Sequence, residues 1–384
     1  MKEIAFLVPS IYTYGGQQRV VSVIINELNL RNCHITVYTS DERVNNIYSI
    51  SEAISIKYFN HRQYRKELPI KIIRYIDKKY DLSSINGVIE LCYYDKAAKR
   101  LLSELGRNNY DIVIAVGGYM TILLGMVAEK TVNKKTRFVA WEHNTYEAYF
   151  ETPNKYLWKR KGEFGKYVKN IDNIIVLNED IKSKYDTCFG VNCDVIPNPR
   201  SFVSESKSLC ENKIFVACGR FVDAKGFDML LEAFKLFTKH NSDWKLMLIG
   251  DGVLSGILND IVKNACLEDR VIFTGFVDDV KEKMLEGSVF LLSSRWEGFP
   301  MSVVEAYEVG LPAISFDISG MQPLSKNNEC ILVQCYNVKD YAEAMINLAE
   351  NNELRKKMSQ NAMSTAKMLS VDNIGKKWNQ ILNI

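Results

Sequence analysis

Ser293-Ser294-Arg295-Trp296-Glu297-Gly298-Phe299-Pro300-Met301-Ser302-Val303-Val304-Glu305-Ala306 is the stretch whose reading decides the fold. The apolar run Val289 to Leu292 precedes it and reads as a short buried strand, bounded by Gly287-Ser288 and the two serines. Pro300 suits a first helical turn, where a missing N–H costs nothing. Val303, Val304, Ala306 and Tyr307 supply the core face of a helix that Gly310 and Pro312 stop. The unit is therefore strand, glycine loop, helix. Free amides at such a helix start attract phosphate.

Glu297 and Glu305 bracket this anion site. A carboxylate accepts paired hydrogen bonds from a vicinal diol, each charge-assisted bond contributing about 1.5–3 kcal/mol. Two diols flanking a diphosphate describe a sugar nucleotide. Two glutamates taken alone read more readily as surface charges, since exposed carboxylates are the norm. The whole string is more specific: Glu-Gly-Phe-Pro-x-Ser-x-x-Glu-Ala resembles the motif of glycosyltransferase family 4. The resemblance implies an α/β chain of GT-B fold, two facing Rossmann-like domains with parallel sheets. It gives Glu297 the donor sugar and Glu305 the nucleotide ribose, with Gly298, Phe299, Pro300, Met301 and Ser302 as the donor-binding turn between them.

Size and composition agree with that class. A chain of 384 residues, 47% apolar and 25% charged, suits two globular domains of ordinary size. A net charge of only +3 argues against general nucleic-acid binding. The nine cysteines include no Cys-x-x-Cys pair and have no histidine near their closest spacings, Cys188/Cys193 and Cys330/Cys335. Buried free thiols in a reducing cytoplasm fit better than a disulfide framework or a zinc site. Met1 to Pro9 is too short an apolar run for a signal peptide or span and reads as a first buried strand. A cytoplasmic protein is expected, with peripheral contact at the cytoplasmic face of the inner membrane.

In the first half, the strand Ile4–Val8 leads through Gly15-Gly16-Gln17-Gln18-Arg19-Val20 into a helix whose apolar Val20, Val21, Ile24, Ile25 and Leu28 have helical spacing. Two glycines there allow close backbone approach to a ligand, although a simple turn would use them as well. Gly-Gly-x-x-Arg-Val is also the usual family 4 opening, which puts Gly15 and Gly16 beside donor phosphates and acceptor. Residues 61–80 carry seven Lys/Arg against Glu67 and Asp77, interleaved with Ile70, Ile73, Tyr75 and Ile76. This segment and 155–161 are candidates for contact with an anionic membrane or a lipid-linked acceptor, the other reading being solvated basic faces. Asp111 to Val116 is a further strand, ending in Gly117-Gly118. Phe138 to Trp141 is another, ending in the polar triplet Glu142-His143-Asn144, where ligand groups of a parallel sheet collect. A histidine at a strand end is commonly structural; the resemblance sets His143 against the donor sugar and reaction centre.

Pro197-Asn198-Pro199 marks an interdomain linker running to about Lys207. The expected domains are 1–199 on the acceptor side and 208–370 on the nucleotide-sugar side. Residues 371–384 form a closing helix that packs back on the first domain. Gly219-Arg220 and Lys225-Gly226 lie in a strand-to-helix loop, where two cations five apart can converge on one phosphate pair or remain two exposed charges. This is the second family 4 landmark, so Gly219, Arg220 and Lys225 are assigned to the donor diphosphate. Gly250-Asp251-Gly252 and Gly256, with Glu268 and Asp269 beyond, almost spell a dinucleotide fingerprint. The pattern is weak, because it lies past the first strand of its half. The strand Val271–Val277 ends, by resemblance, at the nucleobase, with backbone near Val277.

The implied activity is retaining transfer of a hexose or N-acetylhexosamine from a nucleotide-diphosphate sugar, a UDP-sugar foremost. The acceptor is a saccharide, lipid-linked, in lipopolysaccharide, O-antigen or capsule assembly. No cofactor is required, the nucleotide sugar being a substrate. Absence of any Asp-x-Asp leaves no evident metal ligands, and same-face attack requires no protein nucleophile. Rival readings are a GT-B sugar-nucleotide epimerase or phosphorylase, an NAD-dependent dehydrogenase built on Gly250, Gly252 and Gly256, and a sugar-binding module without catalysis.

Overall fold

A computed structural model describes residues 1–40, 48–59, 86–131, 135–153, 155–241 and 243–384, with the side chains of 86–94 outside the description. The basic segment 61–80 lies outside the described residues. In chain order the elements are β1 (Lys2–Val8), α1 (Gly16–Leu30), β2 (Cys33–Thr39), β3 (Ser55–Tyr58), α2 (Asn86–Gly106), β4 (Ile112–Val116), α3 (Gly118–Lys130), β5 (Arg137–Trp141), α4 (Tyr146–Phe150), α5 (Lys161–Val168), β6 (Asn173–Val176), α6 (Glu179–Phe189) and β7 (Cys193–Val195). They continue with β8 (Ile214–Cys218), α7 (Phe227–Phe237), β9 (Lys245–Ile249), α8 (Ser255–Asn264), β10 (Val271–Gly275), α9 (Val280–Leu285), β11 (Val289–Leu292), α10 (Met301–Glu308), β12 (Ala313–Phe316), β13 (Cys330–Val333), α11 (Val338–Glu350), α12 (Asn352–Met368) and α13 (Val371–Leu382).

Among the described residues the strands form two sheets, ordered β3-β2-β1-β4-β5-β6-β7 and β10-β9-β8-β11-β12-β13. Every pairing is parallel. β4 and β11 are buried along their whole length. That is why they read as continuous apolar runs rather than alternating ones: crossover helices cover both faces of a parallel sheet. Strand order reverses between β1 and β4 in one sheet and between β8 and β11 in the other. Ligands of open α/β sheets bind outside the carboxyl ends of strands at such reversals.

The chain divides into two compact units, Met1–Pro197 with Val371–Ile384, and Asn198–Ser370. Ile374, Trp378 and Leu382 give α13 an apolar stripe at i, i+4 and i+8, buried in the first unit. Trp378 packs edge-on to Trp141 with centroids 4.7 Å apart, and Arg31 pairs with Asp372 at 2.8 Å. The expected linker is not a loose tether. Arg200, the Ser204 amide and Lys207 all reach the buried carboxylate of Glu308 on α10, at 2.5, 2.9 and 2.8 Å. Residues 198–207 are thus strapped to the second unit by charges that no local pattern announces. Burial alone would raise the Glu308 pKa, but Lys207, the Ser204 amide and Arg200 outweigh it and hold the carboxyl below its ordinary range.

All described cysteines are free, yet Cys188, Cys266 and Cys335 are exposed, so the expectation of buried thiols holds only for part of them. The helix expected to begin with Pro300 starts one residue later. Pro300 has ψ 100°, extended geometry, and stands as the cap of α10.

Candidate active site

In the second unit the loops after β8 and β11 flank the strand reversal and are laced together. Ser293 Oγ donates to the Lys225 carbonyl at 2.9 Å, and the Arg295 amide donates to the Ala224 carbonyl at 2.8 Å. Gly226 has φ +62°, and a Cβ there would sit 2.1 Å from the Ser293 carbonyl oxygen, so only glycine lets these loops touch. Arg295 forks onto Asp228 at 3.0 and 2.6 Å. It is a structural clasp between loop and helix that the sequence reading did not single out.

This lacing sets the expected donor residues side by side. The Lys225 ammonium is ion-paired with Glu297, whose Oε1 also accepts from Ser294 Oγ at 2.8 Å. The aliphatic stem of Lys225 lies over Gly219, where a Cβ would be 3.6 Å away. Arg220, in the same loop, is exposed. Gly320 lets the 3-10 turn Ser319–Leu324 press on the Glu297 backbone, since a Cβ there would be 2.4 Å from the Glu297 carbonyl oxygen. Pro300 supplies no side-chain cap to α10. The amides of Met301 and Ser302 therefore have no partner within the helix. Gly298 and Phe299 are buried beneath this turn and Ser302 is half-exposed. Glu305, only 5% exposed, accepts from Ser201 Oγ at 2.8 Å. A glutamate on a solvated helix face would be far more open, so its burial sets it apart from a surface charge.

Glycines explain the near-miss fingerprint. Gly250 (φ +136°) lies against the Gly219 carbonyl and Gly252 against that of Phe221, at hypothetical Cβ distances of 2.1 and 2.5 Å, while Gly256 has open space. Two of the three are needed for packing loop on loop. Gly250 also bridges Gly275, the residue before exposed Phe276 and half-buried Val277.

In the first unit Gly15 is held by Tyr48, whose hydroxyl accepts from the Gly15 amide at 2.8 Å and donates to its carbonyl at 3.1 Å. Exposed Gly16 opens α1, which has no side-chain cap. His143, just past β5, is buried with its ring 4.4 Å from that of Trp141, and its Nε2 has no hydrogen-bond partner. Burial holds its pKa down to about 3, so the imidazole is neutral at physiological pH. Its neighbour Glu142 is completely buried; burial pushes its carboxyl up to about 7 against the hydroxyls of Thr121 and Tyr149, which favour the charge. Sequence reading assigned Glu142 nothing. The signal available was a carboxylate beside His143 at the end of an apolar strand.

Among the described residues no group of three or more His, Cys, Asp or Glu could hold a metal ion. No described helix is long and apolar enough to cross a membrane. Of the basic patch 155–161, Lys155, Lys159 and Lys161 are exposed. Arg160 is instead buried, ion-paired with Glu163 at 2.7 Å, and Leu157 belongs to the core.

Two family models match, Glycosyltransferase Family 4 over residues 14–200 and Glycosyl transferases group 1 over residues 202–365. A Haemophilus influenzae glycosyltransferase is 27% identical, with all of both chains covered. The amylovoran biosynthesis glycosyltransferase AmsD of Erwinia amylovora is 24% identical, again over the full length of both. Among solved structures, Anabaena HepE in complex with UDP and glucose matches with a TM-score of 0.74 at 16% identity, covering 100% of each chain.

Proposed function

Because this chain belongs to the group 1, family 4 glycosyltransferases and has their GT-B fold, we propose that it transfers a hexose or N-acetylhexosamine from a UDP-sugar with retention of configuration. The observation that carries the reading is the uncapped start of α10, flanked by the Lys225–Glu297 pair and the buried Glu305. The amides of Met301 and Ser302, with Arg220 and Lys225, receive the diphosphate and stabilise the charge it gathers on leaving. Binding breaks the Lys225–Glu297 pair: lysine turns to phosphate, and the freed carboxylate accepts sugar hydroxyls. Glu305 takes the ribose diol, and backbone near Val277 the base. Gly15, Gly16 and His143 keep the roles implied by the family resemblance. His143, being neutral, offers a hydrogen bond to the sugar rather than a counter-charge.

In the transfer the anomeric carbon–phosphate oxygen bond breaks and a bond to the acceptor oxygen forms on the same face. The acceptor proton passes to the leaving phosphate. AmsD, named for amylovoran biosynthesis, supports a saccharide acceptor in surface-polysaccharide assembly. The exposed lysines 155, 159 and 161 support contact with an anionic membrane bearing a lipid-linked acceptor; flotation with anionic vesicles at low and high salt tests that part. The central reading is tested by thermal shift and turnover with a panel of UDP-, GDP- and ADP-sugars. A UDP-sugar is expected to stabilise most and to be consumed faster when a saccharide acceptor is added. Consumption without any need of acceptor would instead support an epimerase.

A further inference from the structure

The first unit has its own helix start at the strand reversal, α3 after β4, with Gly117 as a cap lacking a side chain (φ +82°). Such a start attracts anions, and here groups of the protein itself fill it. The Gly118 amide donates to the Tyr149 hydroxyl at 3.0 Å, and Thr121 in the first turn donates to Glu142 Oε1. Glu142 is also fixed through its backbone, its amide donating to the Ile175 carbonyl at 2.9 Å, while the Gly117 amide donates to the Trp141 carbonyl at 2.9 Å. The second carboxylate oxygen has no partner, nor has the buried hydroxyl of Tyr185. A buried carboxyl group with one oxygen unsatisfied is costly.

We propose that Glu142, tied to the first turn of α3 through the Thr121 hydroxyl, positions the strand end carrying His143. It acts through the backbone of its neighbour and through α3, so it is a positioning residue and not a catalytic one. Its placement makes the site sensitive to proton uptake near neutrality. The titratable groups around it are Tyr149 on α4, Tyr185 on α6 and Cys193 on β7. Burial is the leading cause that raises all three, so they stay protonated, and Glu142 is the member of this set that changes charge. Its carboxylate form accepts from Thr121 and holds α3; the protonated form brings a donor to a place already supplied with donors.

Three readouts test this, using Glu142→Gln, Glu142→Ala and the full chain. The carbon-13 signal of the His143 ring, assigned with His143→Asn, is expected to inflect near pH 7 in the wild type and not in Glu142→Gln. Sodium formate is expected to raise the melting temperature of Glu142→Ala saturably and to leave the wild type unmoved, because formate refills the vacated carboxyl position beside the Thr121 hydroxyl. The turnover arm rests on the transfer reading: Glu142→Gln should lose about tenfold in kcat with donor KM unchanged, and lose the wild type's rise in rate through pH 7. Identical His143 titrations in wild type and Glu142→Gln, or equal formate effects on both proteins, would overturn the proposal. An inflection that vanishes in Glu142→Gln upholds it even where no donor of the panel turns over, an outcome that counts against the transfer reading alone.

Discussion

Helices α3 and α10 each follow the strand across a sheet reversal, α3 immediately after Gly117 and α10 after the loop Ser293 to Pro300, and their first turns are treated in opposite ways. At α3 the Tyr149 hydroxyl receives the Gly118 amide, and Glu142 sits buried against Thr121. At α10 no side chain caps the turn, and the nearby acid, Glu297, is engaged with Lys225 in a partly exposed pair. One fold element thus serves two ends. Filled from within, it is scaffold; uncapped beside a partly exposed ion pair, it is the start proposed to take a ligand's phosphate. The difference lies in side chains, since both starts offer the same backbone dipole.

The comparison breaks most readily at Lys225. Lys225→Ala should lose about 10³-fold in transfer, the scale of a removed oxyanion donor. Its melting temperature should barely change, because the pair with Glu297 remains partly open to solvent. Normal transfer by this variant would remove the diphosphate assignment.

The two acids of α10 sharpen the contrast within one helix. Glu308→Gln should cost about 3 kcal/mol of stability by chemical denaturation, since Arg200 and Lys207 lose a buried partner. Glu305→Gln should cost far less stability but weaken nucleotide binding about tenfold, measured by calorimetry. Equal behaviour of the two variants would mean that Glu305 is scaffold as well.

A smaller effect separates Glu142 from His143 by pH. Glu142, raised to about 7 in the fold, contributes stability that is present below its unfolded pKa and lost as pH rises through 7. His143, depressed to about 3, contributes stability present above its unfolded pKa and lost as pH falls toward 3. Between about pH 4.5 and 6.5 the two slopes oppose each other. Glu142→Gln should therefore gain stability with rising pH in that window, by about 1.4 kcal/mol per pH unit relative to wild type, and His143→Asn should lose it at a similar rate. Parallel stability curves for wild type and both variants would show that neither group titrates as its burial requires.

Much of this was legible in the chain because parallel strands announce themselves locally. Val289 to Leu292 and Ile112 to Val116 are apolar runs closed by glycine or serine, and each becomes a strand buried on both faces. The strand, loop and helix around the turn proposed to bind the donor were legible for the same reason: they lie in one unbroken stretch. What the sequence withheld depends on contacts between distant residues. Thr121 meets Glu142 across 21 positions, Lys225 meets Glu297 across 72, and Arg200 meets Glu308 across 108. No periodicity encodes such pairs, so a linker read from two prolines became a strap, and a glutamate assigned no role became a buried acid tied to α3.

The central claim is that the open helix start of the second unit takes the leaving diphosphate. A crystal structure of the full chain, soaked with whichever of UDP, GDP or ADP stabilises it most, tests this directly. The diphosphate is expected against the amides of Met301 and Ser302, with the Lys225 ammonium turned from Glu297 onto it. A diphosphate bound elsewhere, with the Lys225–Glu297 pair intact, would contradict the account.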